Sequence, residues 1–180
     1  MKKLFWGVLA VWFCTFAANA QVPTGLKISQ EAQALFNMEE FATVDQMAET
    51  FMNTGARTTS GNWKLLYAQI RSSFFGGRDD AAHWQRFDEA TATFLASSPD
   101  SSTATILRAQ FLYAKAWSYR GESRSGDVQS EMWAPFRENL HLAKDVLYAH
   151  ADQMKDNPHW YVTAIAIEGS LGARSQGFYD

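Results

Sequence analysis

Cysteine is all but missing from this chain: Cys14 is the only one, and it lies inside an N-terminal apolar run. Once that run is removed, the remainder can form no disulfide and no thiolate metal site. Val11, Trp12 and Phe13 precede Cys14, whereas a lipid-attachment site needs small residues there. Basic residues form no cluster, and phosphate contacts depend on Lys and Arg, so nucleic acid is not expected as a partner. No Gly-x-Ser-x-Gly and no phosphate-cradling glycine loop occurs; Gly76-Gly77 reads as a helix stop. No stretch alternates with period two for long enough to demand a strand.

What is present begins with a leader. Lys2-Lys3 give a positive start, Leu4–Phe16 is apolar throughout, and Ala18-Asn19-Ala20 is an A-x-A cleavage site. These are the parts of a secretory signal peptide cut after Ala20. The run is shorter than the roughly 20 apolar residues a membrane helix needs, so no stable span is expected after cleavage. The mature protein is then expected in the periplasm or the medium. Losing Lys2 and Lys3 takes the 16 basic residues to 14 against 19 acidic ones, and the charge from −3 to −5. With 47% hydrophobic and 14% aromatic residues the chain is too apolar to be disordered.

The remainder predicts an all-α fold of about seven helices. Residues 21–28, with Pro23 and Gly25, are expected to be an extended lead-in, and 29–180 the helical domain. Ser29 is the expected cap of a first helix through Met38. Thr43-Val44-Asp45-Gln46 fits a capping box for the second, which Gly55 closes. Trp63, Leu66, Tyr67, Ile70 and Phe74 predict a third helix from Ser60. Asp79 or Asp80 starts the fourth, which Pro99 terminates, and Asp100 or Ser101 opens the fifth. The fifth is apolar nearly all round apart from Arg108 and Lys115, so it belongs at the centre. Trp133, Phe136, Leu140, Ala143, Leu147, His150 and Met154 stripe the sixth, where Pro135 favours a start near Trp133. Asn157-Pro158 opens the seventh, and Gly169 and Gly172 end it. Short connections favour antiparallel hairpins, pairing helices two with three, four with five and six with seven.

Ser98-Pro99-Asp100 and Asn157-Pro158-His159 echo one another, at a separation well above the ~34 residues of a tetratricopeptide repeat. Ala116-Trp117, Arg120-Gly121, Trp133, Phe136 and Pro158-His159-Trp160-Tyr161, with Gly61 and Trp63, resemble an uncharacterised bacterial family of the tetratricopeptide-like (TPR-like) helical superfamily. The resemblance covers most of residues 35–180. It implies α-hairpins stacked as a short superhelix, and it implies no activity. Members of that family continue past this end, and Gly177-Phe178-Tyr179-Asp180 resembles the start of a further helix, so a closing element is expected to be missing.

Glu138 and His141 have the Glu-x-x-His spacing of di-iron bundles, but those use it twice with two further glutamates. His141 stands four residues before Asp145, and a surface ion pair explains it. No metal, no cofactor and no catalytic set is therefore expected. His150, on the apolar stripe, is expected to be buried and hydrogen-bonded. The polar stretch Arg120, Glu122, Arg124 and Asp127 is either a solvated linker or a charged lip beside a helical groove, and those four are the binding candidates. Three functions stay open. The first is an exported module binding a protein or peptide of the cell envelope. The second is a hydrolase or metal enzyme, which needs His141, His150 or His159 to converge with carboxylates. The third is a structural envelope subunit, which would leave an apolar patch open beside the seventh helix.

Overall fold

A computed structural model describes residues 24–76, 80–121 and 124–172. The leader, its cleavage site, Cys14, Gly77, Asp79, Glu122 and Gly177–Asp180 lie outside the described residues. Among those described there are seven α-helices: α1 (Thr24–Asn37), α2 (Phe41–Thr54), α3 (Leu65–Ala68), α4 (Ala81–Ser97), α5 (Ser102–Arg120), α6 (Trp133–Tyr148) and α7 (Pro158–Leu171). An isolated bridge between Arg57 and Trp63 is the only extended pairing there. No helix described is long and apolar enough to cross a membrane.

Several ends follow local chemistry. Asp80 caps α4 by accepting from the Ala82 N–H at 3.0 Å, and Asn157 caps α7 by accepting from His159 N–H at 2.9 Å, with Pro158 in the first turn. Gly55 closes α2 and Gly172 closes α7, both left-handed. Ser101 does more than cap α5. Its Oγ accepts from Ala104 N–H at 3.0 Å and donates to Asp45 Oδ1 of α2 at 2.7 Å. Ser101→Ala removes both bonds, so a loss of about 1–2 kcal/mol is expected in urea unfolding, against a few tenths for Ser118→Ala on the exposed side of the same helix.

In the N-terminal half three segments depart from the expected boundaries. α1 begins at Thr24, inside the expected lead-in, because Ile28, Ala32 and Phe36 form one buried stripe and Gly25 lets the chain approach the Tyr67 ring. α2 begins at Phe41 rather than at the Thr43 capping box. Glu40 makes no side-chain cap there. Burying the Phe41 ring, stacked 4.8 Å from Phe94, outweighs a cap worth about 1 kcal/mol. The expected third helix does not form as one piece. Thr58 N–H donates to Asn62 O, Gly61 takes a φ of +83°, and Arg57 lies 4.3 Å over the Trp63 ring. One helical turn remains at Leu65–Ala68, followed by a 3-10 turn at Ser72–Phe74. Between them Ile70 is fully buried with a φ of +33°, a strained conformation for a β-branched residue.

α5 is the centre, as its all-round apolarity requires. Ile106, Leu107 and Phe111 are fully buried, and α4, α6 and α7 pack around it, α6 most extensively. Its polar strip is satisfied by one carboxylate of α4: Arg108 Nη1 lies 2.6 Å and Lys115 Nζ 3.0 Å from Asp88. α1 packs on α2 and α3, and Phe36, Phe41, Phe75, Phe87 and Phe94 join that end to the main core. α6 stops at Tyr148, short of the expected Met154. A 3-10 turn at Ala151–Met154 buries Met154 separately.

Candidate functional site

Among the described residues, two clefts stand out on the helical surface. The larger, about 570 Å³, lies between α4 and the end of α5. Trp84 and Gln85 form one wall, Lys115, Ser118 and Tyr119 the other, with Met132 at the edge. Asp88 lies in it. Burial pushes the Asp88 carboxyl up, but hydrogen bonds and charge from Lys115 and Arg108 outweigh this and hold it below its ordinary value. The cations there are committed to Asp88, so this cleft offers mainly aromatic and amide surface.

The smaller cleft, about 350 Å³, lies where α3 and the Ser72 turn meet α5 and α7. Its polar wall is built around Gln110. The Ser72 N–H donates to Gln110 Oε1 at 2.9 Å, and Gln110 Nε2 donates to Thr163 Oγ1 at 2.8 Å and faces His159 Nε2 at 3.3 Å. An amide nitrogen only donates, so His159 Nε2 is the acceptor and the ring hydrogen belongs on Nδ1. His159 is 1% exposed, and its Nδ1 has no partner among the described residues. Burial, and then the nearby charge of Arg71, push the His159 pKa down to about 4. Behind it, Gln69 Nε2 reaches Thr103 Oγ1 at 3.4 Å while the buried Gln69 Oε1 has no partner among the described residues. Leu66, Val162 and Ala166 make the apolar wall, and no carboxylate lines the cleft.

Arg71 stands at this cleft immediately after the strained Ile70. It is exposed, and its guanidinium lies 5.5 Å over the Tyr67 ring. Among the described residues no carboxylate is within ion-pair distance of it.

The loop candidates divide. Arg120 folds back, its guanidinium 4.7 Å over Trp117 and 5.9 Å over Trp133, and donates to its neighbour Gly121 O at 3.0 Å. Glu122 lies outside the described residues. Arg124 and Asp127 are exposed and joined by a 3-10 turn, Asp127 N–H donating to Arg124 O at 2.9 Å. Neither they nor Arg120 line a cleft described here, although Tyr119 and Met132, which bracket the loop, both do.

The histidines also divide. Glu138 and His141 are exposed on α6, and His141 makes no ion pair with Asp145. His150 is half-buried with no side-chain hydrogen bond to a described residue, because α6 ends before it and the stripe does not carry it inward. The buried, hydrogen-bonded histidine is His159. Among the described residues no three His, Cys, Asp or Glu side chains come together in a metal-binding group. Gln110 and Arg71 were not singled out by motif. The usable signal was Gln110 itself, an amide in the middle of an otherwise apolar helix.

No family profile, no curated protein and no solved structure matches this chain.

Proposed function

We propose that this chain is an exported helical binding module that docks an amphipathic helix of a partner protein or peptide in the cell envelope on the outer face of α7. The carrying observation is that face. Tyr161, Val162 and Ile165 are 44%, 53% and 59% exposed on adjacent turns of one helix. Single exposed apolar residues need no explanation, but three on one face mark a contact surface. Gly169 lies one turn further along, with open space where a Cβ would stand, so another helix can approach closely there. Inside the protein helices are covered by helices: α6 and α7 both pack on α5, and α7 packs on α6 as well. The shape that continues this order is a helix, seated through residues three and four apart.

The rest of the reading draws on the sequence. The leader at 1–20 supports export to the periplasm or beyond. Three residues separate α1 from α2 and four separate α4 from α5, links short enough to support the hairpin stacking of a TPR-like superhelix. No cofactor, nucleic acid or membrane span enters this reading. The enzyme alternative loses its support where His159's cleft has no carboxylate and His141 points to solvent. The envelope-subunit alternative draws on the same α7 face, with a second copy or a further helix as the cover.

A photo-crosslinking residue at Ile165, with a matched one at exposed Glu49 on α2, tests this in the producing cell. An adduct of one defined mass from position 165, missing from position 49 and lost with Val162→Glu, is the expected result. Equal labelling from both positions, or none from 165, would overturn it. An adduct of twice the chain's mass would move the face to self-assembly.

A further inference from the structure

We propose that the cleft between α3, the Ser72 turn and α7 binds a small monocarboxylate with a short hydrocarbon tail, the carboxylate on Arg71 and the tail against Leu66, Val162 and Ala166. The inference goes beyond helix docking; Val162 borders both surfaces, and the variants that test the cleft leave it unchanged. Space, about 350 Å³, falls within the range of small-ligand sites, about 300–1,000 Å³. Charge favours an anion, because Arg71 is the cleft's one ionised group at neutral pH and no described carboxylate pairs with it. A planar guanidinium matches a carboxylate through two parallel hydrogen bonds.

The inner wall is built rather than incidental. Gln110 is fixed at both ends of its amide, by Ser72 and by Thr163, which holds that wall rigid. His159 adds a buried Nδ1 hydrogen with no acceptor among the described residues. The chain also carries a strained, fully buried Ile70 directly before Arg71. Backbone strain of this kind persists where the surroundings enforce it, and it gathers at ligand sites. Leu66, Val162 and Ala166, with Tyr113 also lining the cleft, make an apolar wall, so one side of the ligand must be apolar. A free inorganic anion would leave that wall uncovered, and a neutral hydrocarbon would leave Arg71 unused.

Octanoate titrated into the ¹⁵N-labelled protein, with octanol as the uncharged control and N-acetylleucine as the amino-acid-like carboxylate, tests the idea. Octanoate or N-acetylleucine should shift the Ser72 and Thr163 amides and the Gln110 side-chain amide saturably, with octanol at least about tenfold weaker. The stronger of the two acids tells a fatty-acid-like ligand from an amino-acid-like one. Arg71→Gln should weaken the better acid about tenfold and Arg71→Lys less. Arg71 is exposed, and an otherwise unchanged spectrum shows that each variant folds. Octanol binding as tightly as octanoate, an unchanged affinity in Arg71→Gln, or no saturable shift with either acid would each overturn the proposal.

Discussion

Replacing Phe36 with alanine should cost about 4 kcal/mol of stability and lower the thermal midpoint by roughly 10 °C. Phe36 is 1% exposed, and its ring meets four others: Phe41 at 5.6 Å, Phe75 at 6.1 Å, and Phe74 and Phe87 at 6.2 Å. Those partners come from α2, the Ser72 turn and α4, so one side chain joins the N-terminal hairpin to the main body. Truncation leaves a cavity that four stiff rings cannot close by rotating. Phe36→Leu keeps most of the volume and should cost about 1–2 kcal/mol. Leu26→Ala, at a residue 49% exposed in the same helix, should stay within about 0.5 kcal/mol. Urea midpoints of the three variants check this. A Phe36→Ala loss under about 1 kcal/mol would mean that α1 does not dock on α4 through this ring.

Where the chain's own short-range chemistry decides an element, the sequence is a good guide to this fold. Asp80, Ser101 and Asn157 are capping residues beside positions with strong helical patterns, and all three cap. The burial of α5 was legible because a helix apolar on nearly every side has nowhere else to go. In the N-terminal half the departures share one cause, a long-range contact overriding a local preference. Trp63 fits a helical stripe, but the Arg57 guanidinium and the Thr58–Asn62 turn hold it in a bridge. Phe41 precedes a good capping box, but its ring has Phe94 to stack on. The site was less legible still. Gln110, His159 and Arg71 are 39 and 49 positions apart along the chain, counted from Gln110 to Arg71 and to His159, and they meet only because the Ser72 turn and α7 both pack on α5. No spacing rule reaches that far. The loop motif, by contrast, was visible because its residues are neighbours, and Arg120 spends its charge on two indoles nearby.

Between pH 6.5 and pH 4 the protein should lose about 3 kcal/mol of stability through His159 alone. In the unfolded chain this imidazole takes a proton near pH 6.5. In the folded protein burial, and then Arg71's charge, delay that to about pH 4. Within the window the unfolded state therefore holds more protons, and stability must rise with pH across it. Below about pH 4 both states are protonated and this contribution is exhausted. Asp88 acts in a separate window. Its carboxyl is held below 3.8, so the stability it contributes is present above that value and is lost as the pH falls through the lower folded one. The part of the slope between pH 6.5 and 4 that His159→Asn removes belongs to the histidine. His159→Asn keeps a polar side chain against Gln110 but cannot titrate there, so its urea midpoint should fall less across the window than that of the native protein, whatever its absolute stability. The imidazole proton resonance of His159 should stay unshifted down to about pH 5 in the native protein. A resonance titrating near 6.5, or an equal slope in the variant, would show that the ring is not held neutral at this junction. An anion seated on Arg71 would remove the second of the two causes. Bound octanoate should then move the His159 transition upward, which ties the buried ring to the occupancy of the cleft beside it.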